Sequence, residues 1–115
     1  MKTILAFVTL HTPNYPVTRA YFTDVLGFEV TEERPGENAF VQASGAGLAI
    51  RSDQVARPPL GAGVSLYFIV PNLDEYHAQL VGRGADIAEP PHEMPFGRTF
   101  SVKTPDGHLL GFYEA

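Results

Sequence analysis

Two stretches of the sequence align with each other without a gap, AFVQASGAGLAI (39–50) and FSVKTPDGHLLG (100–111). In each stretch, two short apolar runs flank a turn that contains glycine, which is the pattern of a β-hairpin. The alignment places Ile50 over Gly111. A match between whole elements at two places in the chain indicates an internal repeat.

The same order of elements leads into both hairpins. In the first half, apolar runs and helical spacing predict a strand at 4–10, a loop around Pro13 and Pro16, a helix at 17–26, and strands at 28–33, 39–43 and 48–52. In the second half they predict a strand at 64–70, a helix capped by Asn72, a strand at 85–89, a loop at 90–97, and strands at 98–103 and 108–114. A segment rich in proline and glycine, 52–63, connects the halves.

The composition indicates an ordinary globular protein. The chain has 115 residues, 44% of them hydrophobic, a net charge of −5 and no cysteine. These values exclude disulfides and thiolate metal sites, and the acidic balance disfavours nucleic acid as a partner. No apolar run approaches the roughly 20 residues that cross a bilayer, so no membrane partner is expected. The N-terminal run lacks a small-residue cleavage site, so we expect a cytoplasmic protein.

Alternation along the predicted strands separates two faces of each sheet. One face carries aliphatic and phenylalanine side chains, and we expect it to pack on the helices. The other face mixes apolar and polar side chains, among them Thr9, Ser65, Tyr67, Gly111 and Tyr113. A mostly apolar surface with a few polar groups is typical of a ligand pocket, and the same surface would also suit an oligomer interface.

Three segments resemble the vicinal oxygen chelate superfamily: RAYFTDVLGFEV (19–30), YFIVPNLDEYHAQLVGRGADI (67–87) and PFGRTFSVKTPDGHLLGFYE (95–114). This superfamily includes glyoxalase I, extradiol dioxygenases, fosfomycin-modifying enzymes and bleomycin-resistance binding proteins. The resemblance implies one α+β domain, 1–115, built from two βαβββ modules, 1–58 and 59–115. These would form a curved, incomplete mixed β-barrel with the helices on the convex side and the site on the concave face.

The resemblance also implies where a metal would be bound. The family's ligand positions fall on Phe7, Ile50, Ser65 and Gly111, with Ala49 or Arg51 in place of Ile50 if the register slips by one residue. None of them has the imidazole or carboxylate that a divalent cation requires. We therefore expect no metal, no other cofactor and no catalytic residue. We also expect the missing side chain of Gly111 to leave room for a ligand.

By resemblance, the chain is expected to be a metal-independent binding protein of the glyoxalase and bleomycin-resistance type. Its partners would be a small organic ligand, aromatic or cationic, and a second copy in a homodimer, in which modules are exchanged or not. Arg98 is a candidate to meet a carboxylate or phenolate. The full set of candidate ligand-binding residues is Phe7, Thr9, Phe40, Ile50, Ser65, Tyr67, Arg98, Ser101, Gly111 and Tyr113, with Thr99 as a further hydrogen-bonding group.

An enzyme is the alternative. A glyoxalase-like lyase or isomerase would need a divalent metal held by other residues, or acid–base chemistry by His11, Tyr67 or Tyr113. No two of the four histidines have the spacing of a metal motif. We expect all four at the surface, and only His11, at the end of the first strand, near the mouth of the cleft.

Overall fold

The computed structural model of this chain describes residues 1–43 and 45–114. The chain divides into two compact units, Met1–Pro58 and Pro59–Ala115. Each unit contains one four-stranded mixed sheet and helical segments in the order βαβββ, which confirms the predicted α+β class and the repeated plan. Ser44, in the predicted hairpin turn, lies outside the described residues.

The N-terminal unit has its strands in the order β1-β4-β3-β2. Strands β1 and β4 are parallel, and the other neighbours are antiparallel. The bounds are β1 (Phe7–Thr12), α1 (Tyr15–Ala20), which continues as a π-helical turn (Tyr21–Val25), β2 (Glu32–Arg34), β3 (Asn38–Gln42) and β4 (Gly47–Ser52).

The C-terminal unit repeats this connectivity with the order β5-β8-β7-β6. Its parallel pair is β5 and β8. The bounds are β5 (Ser65–Ile69), α2 (Leu73–Gly82), β6 (Asp86–Met94), β7 (Gly97–Lys103) and β8 (Leu109–Glu114). Neither helical region of the described chain combines the length and apolarity that a membrane span requires.

The two helices begin differently. The predicted cap of α2 is confirmed, because the Asn72 side chain accepts a hydrogen bond from the backbone N–H of Glu75 at 3.2 Å. The start of α1 was predicted too late, since Pro16 lies inside its first turn and not in a loop. Proline is tolerated there because the first backbone N–H groups of a helix have no partner within the helix.

Two strand boundaries also differ from the prediction. Strand β2 begins at Glu32 and not at Phe28, because the Phe28 N–H bonds to the carbonyl of Phe22 at 2.8 Å and is not available to the sheet. Strand β6 extends through the predicted loop as far as Met94. Pro90 and Pro91 fit into it because β6 is an edge strand whose pairing with β7 shifts register in this region.

Each sheet has a helix face and an open face. The helix face is the one whose large apolar side chains are buried, and the open face is the opposite one. In the N-terminal unit the helix face includes Leu10, Ala39, Val41, Leu48 and Ile50. In the C-terminal unit it includes Phe100, Val102, Leu110 and Phe112. Burying one of the leucine, isoleucine, valine or phenylalanine side chains stabilises the fold by about 1.5–3 kcal/mol, so each helix face forms the core of its own unit.

Three polar side chains connect α1 to β2. The Arg19 guanidinium donates to both carboxylate oxygens of Glu33, at 2.5 and 2.9 Å, and the Tyr15 hydroxyl donates to the same carboxylate at 3.0 Å. The hydrogen bond from Arg19 is the main cause that lowers the pKa of Glu33. Burial, and then the hydrogen bond to Glu33, raises the pKa of Tyr15 to about 12. The folded state therefore favours the ionised form of the Glu33 carboxylate.

Glu33→Gln is expected to lower the free energy of unfolding at neutral pH. The pKa of Glu33 is lower in the folded than in the unfolded state. Its contribution to the free energy of unfolding is therefore fully present above the unfolded-state pKa and is lost as the pH falls through the folded-state pKa. The stability difference between wild type and variant should therefore shrink as the pH drops below about 4.3, the ordinary pKa of glutamate. Urea unfolding between pH 3 and 7 measures this. Glu32→Gln is the matched control, because Glu32 is the neighbouring residue and its side chain is exposed. A difference between wild type and Glu33→Gln that does not change with pH would contradict the assignment.

Candidate functional site

The open face of the N-terminal sheet forms a cleft of about 480 Å³. Three of the predicted ligand-binding residues, Phe7, Thr9 and Phe40, lie together in it. The rings of Phe7 and Phe40 meet edge to face with their centroids 5.4 Å apart. The full lining is Phe7, Thr9, Arg34, Gly36, Glu37, Asn38, Phe40, Ala49, Arg51 and Ser52.

Most of the polar lining of this cleft was missed by sequence reasoning. Arg34, Glu37 and Asn38 lie where β2 turns into β3, between the strands predicted at 28–33 and 39–43. No local sequence pattern identifies them, because strand register brings them together. Asn38 pairs with Arg34 on one side and with Arg51 on the other, two residues before Phe40 on the same face.

Ile50 was predicted as a ligand-binding residue, and the structure shows that this is wrong. Its side chain is fully buried on the helix face. The gapless alignment failed because the first hairpin is one residue shorter: Phe40 pairs with Ala49, whereas Ser101 pairs with Gly111. Ala49 is thus the counterpart of Gly111, and the alternative register, with Ala49 or Arg51 on the open face, is the observed one.

Gly111 does not leave the empty space that was expected. It pairs with Tyr67 across the parallel strands β5 and β8, and a Cβ atom on Gly111 would overlap the ring of Tyr67. The tyrosine ring therefore covers the glycine. A glycine inside this strand is explained by the close approach of an aromatic side chain. Ser65, two residues before Tyr67, is exposed on the same face.

A row of three aromatic rings extends over the open face of the C-terminal sheet. Tyr67 meets Phe96 at 5.4 Å between ring centroids, and Phe96 meets Tyr113 at 5.0 Å, both edge to face. The sequence placed Tyr67 and Tyr113 on this face but missed Phe96, which lies in the turn between β6 and β7. Its side chain is 45% exposed, so this row is an accessible aromatic surface.

The two hydroxyl groups of β7 are buried. The Thr99 hydroxyl donates to the carbonyl of Gly97 at 3.1 Å, so a partner within the chain already occupies it. Ser101 is 6% exposed, and its hydroxyl oxygen has no hydrogen-bond partner among residues 1–43 and 45–114. Both were predicted to orient a ligand, and of the two hydroxyl groups that of Ser101 makes no hydrogen bond among the described residues.

Arg98 does not lie on the open face. Its position alternates with Thr99 and falls on the side of the buried Phe100, and its guanidinium donates to Asp74 of α2 at 3.1 and 3.2 Å. A second carboxylate, that of Glu93, lies 3.7 Å away. Arg98 was predicted to meet a carboxylate or phenolate of a ligand, and in the structure two carboxylates of the chain hold its guanidinium on the helix face.

The histidines contact other residues of the chain. The Nδ1 atom of His11 lies 2.8 Å from Asp53, and this hydrogen bond is the main cause that lowers the pKa of Asp53. His11 is exposed but is not part of the cleft lining. The prediction that all four histidines lie at the surface is wrong for His108, which is only 7% exposed. His77 packs on Phe100 at 5.1 Å.

The residues at the family's metal positions do not fit a metal. In the N-terminal unit these positions present the ring of Phe7 and, in the observed register, Ala49 or the cation of Arg51. In the C-terminal unit they present the hydroxyl of Ser65 and a glycine covered by Tyr67. In the part of the chain that the structure describes, no three histidine, aspartate or glutamate side chains are grouped to hold a metal ion.

Solved structures of similar fold include two binding proteins and a resistance protein. One is the bleomycin-binding protein of Streptomyces verticillus in complex with copper(II)-bleomycin (22% identity, 100% of this chain and 98% of that chain, TM-score 0.77). A second is TnmS3, an antibiotic binding protein from Streptomyces sp. CB03234 (19% identity, 99% and 96%, TM-score 0.76). A third is a mutant of the fosfomycin resistance protein FosX from Listeria monocytogenes with Mn(II) and dihydroxypropylphosphonic acid (18% identity, 98% and 90%, TM-score 0.76).

These likenesses establish the fold. No functionally curated protein is significantly similar to this chain in sequence. The family model described as the Glyoxalase/Bleomycin resistance protein/Dioxygenase superfamily matches residues 4–112, which include all eight strands except the last two residues of β8. The repeated βαβββ plan and this match together show that the chain belongs to that superfamily.

Proposed function

We propose that this chain is a metal-independent protein that binds a small aromatic molecule, with the cleft on the open face of the N-terminal sheet as a binding site. The observation that carries the proposal is the composition of that cleft. Two phenylalanine rings, Phe7 and Phe40, lie beside hydrogen-bonding groups in a concavity of about 480 Å³. Ligand pockets of proteins combine apolar walls with a few polar groups in this way, at volumes of about 300–1,000 Å³.

An aromatic ligand is favoured because Phe7 is 52% exposed although it lies inside the cleft. A ring exposed to this degree gains free energy when a second ring covers it. Aromatic pairs contribute about 0.5–1.5 kcal/mol beyond the burial of area. The bleomycin-binding and antibiotic-binding proteins of the same fold support a small organic ligand.

Metal independence is the second part of the proposal. It is supported by the residues at the family's metal positions, since a phenyl ring, a covered glycine and a guanidinium cannot donate an electron pair to a cation. Serine alone is a weak neutral ligand. No step of the proposed function therefore involves a metal ion.

We also propose that both units belong to one cytoplasmic domain that associates as a homodimer. The family match extends through both units, which supports a single domain. Association is supported by apolar side chains on the open face of the C-terminal unit, where Tyr67 is 50% and Ile69 is 65% exposed. Exposed apolar surface of this kind commonly marks a contact with a partner.

Binding without metal is the expected result of calorimetric titration in the presence of EDTA. A panel of planar aromatic compounds serves as the probe, with sedimentation of the same samples to give the number of chains per particle. Phe7→Ala should weaken binding of the best compound about tenfold, because the exposed ring loses its contact with the ligand. Val55→Ala, at a position that is 81% exposed and outside the cleft, is the matched control. Binding that requires added divalent metal, or that is unchanged in Phe7→Ala, would refute the proposal.

A further inference from the structure

We infer that the cleft of the N-terminal sheet selects a planar aromatic anion, such as an aromatic carboxylate, over neutral and cationic compounds of the same shape. This inference rests on the proposed binding function and specifies its ligand class. It reverses part of the expectation from resemblance, which included a cationic ligand.

Three charged side chains line the cleft. They are the guanidinium groups of Arg34 and Arg51 and one carboxylate, that of Glu37. In a chain of net charge −5, this lining carries an excess of positive charge. A concave surface with an excess of one sign concentrates ligands of the opposite sign.

The guanidinium groups of Arg34 and Arg51 have no carboxylate partner among the described residues. Other arginines of the chain are occupied. Arg19 is paired with Glu33, Arg98 is paired with Asp74, and Arg57 donates to two backbone carbonyls. The cleft therefore contains arginine forks that are available to an external anion, and this fork matches a carboxylate in a bidentate arrangement.

The strand register places the two arginines and one asparagine of the cleft in one row. Arg34, Asn38 and Arg51 lie directly opposite one another on three adjacent strands, with Asn38 in the middle. Because neighbouring strands are about 4.8 Å apart, the two arginine backbones lie on the order of 10 Å from each other. Long arginine side chains converge easily over such a span, and the Asn38 amide between them offers a further donor.

The polar row lies close to the aromatic rings of the cleft. Phe40 follows Asn38 by two residues on the same face of β3, which is about 7 Å along the strand. A planar acid whose ring packs on Phe40 and Phe7 would therefore place its carboxylate at the arginine row. Glu32 lies opposite Phe40 on the open face, but it is not part of the cleft lining.

Three naphthalene derivatives of one shape test this inference: naphthoate, naphthamide and naphthylmethylammonium. Calorimetric titration at low ionic strength should show naphthoate bound about tenfold more tightly than naphthamide, with the ammonium compound weakest. Arg34→Gln and Arg51→Gln should each weaken naphthoate binding about tenfold, with the naphthamide affinity changed less than twofold. Arg57→Gln, outside the cleft, is the matched control and should change neither affinity. Added salt should reduce the preference for naphthoate, because the arginines are exposed.

The outcomes separate the two proposals. If naphthamide or the ammonium compound binds as tightly as naphthoate, or if both arginine variants retain full naphthoate affinity, the anion inference is wrong and the aromatic binding function stands. If none of the three compounds binds to the wild-type protein, the inference fails together with the proposed function.

Discussion

Phe112→Ala is expected to lower the free energy of unfolding by about 3–5 kcal/mol, the usual effect of truncating a fully buried phenylalanine. Phe112 lies at the centre of the helix face in the C-terminal unit and is 0% exposed. Its ring stacks on Phe68 and Phe100, at 5.5 and 5.3 Å between centroids, and meets Tyr76 of α2 edge to face at 5.0 Å. Removing the ring leaves a cavity among three other rings, which have little freedom to fill it.

Urea unfolding followed by circular dichroism measures this effect. The matched control is Phe96→Ala, which removes the same ring from a position that is 45% exposed on the open face. It should change the free energy of unfolding by less than about 1 kcal/mol, as is usual for surface substitutions. Equal effects of the two variants would contradict the assignment of the helix and open faces in this unit.

Ile50→Ala is expected to destabilise the N-terminal unit by about 2–5 kcal/mol. Ile50 is 0% exposed and shares the helix face of β4 with Leu48. Had Ile50 been on the open face, as the gapless repeat alignment predicted, the same substitution would alter ligand binding and leave stability nearly unchanged. The size of the stability loss therefore distinguishes the two registers.

Arg51→Ala is the control for this prediction, because it changes the next residue of the same strand. Arg51 is exposed on the open face, so its truncation should change the free energy of unfolding by about 0.5 kcal/mol or less. Thermal and urea unfolding of both variants give the comparison. A larger loss in Arg51→Ala than in Ile50→Ala would show that β4 presents its other face to the core.

The fold was predictable because each element of the repeat carries its own local signal. The run from Ser65 to Ile69, the cap at Asn72 and the hairpin before Leu109 all lie within a few residues of the predicted positions. Alternation along β8 also placed Leu110 and Phe112 in the core, because the period of a strand is two. These signals depend on sequence neighbours only.

The site was less predictable because its residues meet through long-range pairing. Arg34 enters the cleft through its register with Asn38, and the guanidinium of Arg98, on the helix face of β7, is held there by Asp74 on another element. The space over Gly111 is filled by Tyr67, which is distant in sequence. A one-residue difference in a hairpin moved Ile50 from one face to the other, since a shift by one residue inverts every side chain of a strand.

The prolines of β6 have a consequence for how copies of this chain meet at high concentration. Pro90 and Pro91 have no N–H group, and the carbonyl of Pro90 is already bonded to the ring of His92 at 2.8 Å. The outer rim of the C-terminal sheet therefore lacks the regular ladder of donors and acceptors on which a foreign strand would add. Strand addition is therefore disfavoured along this rim, as at other sheet edges that contain proline.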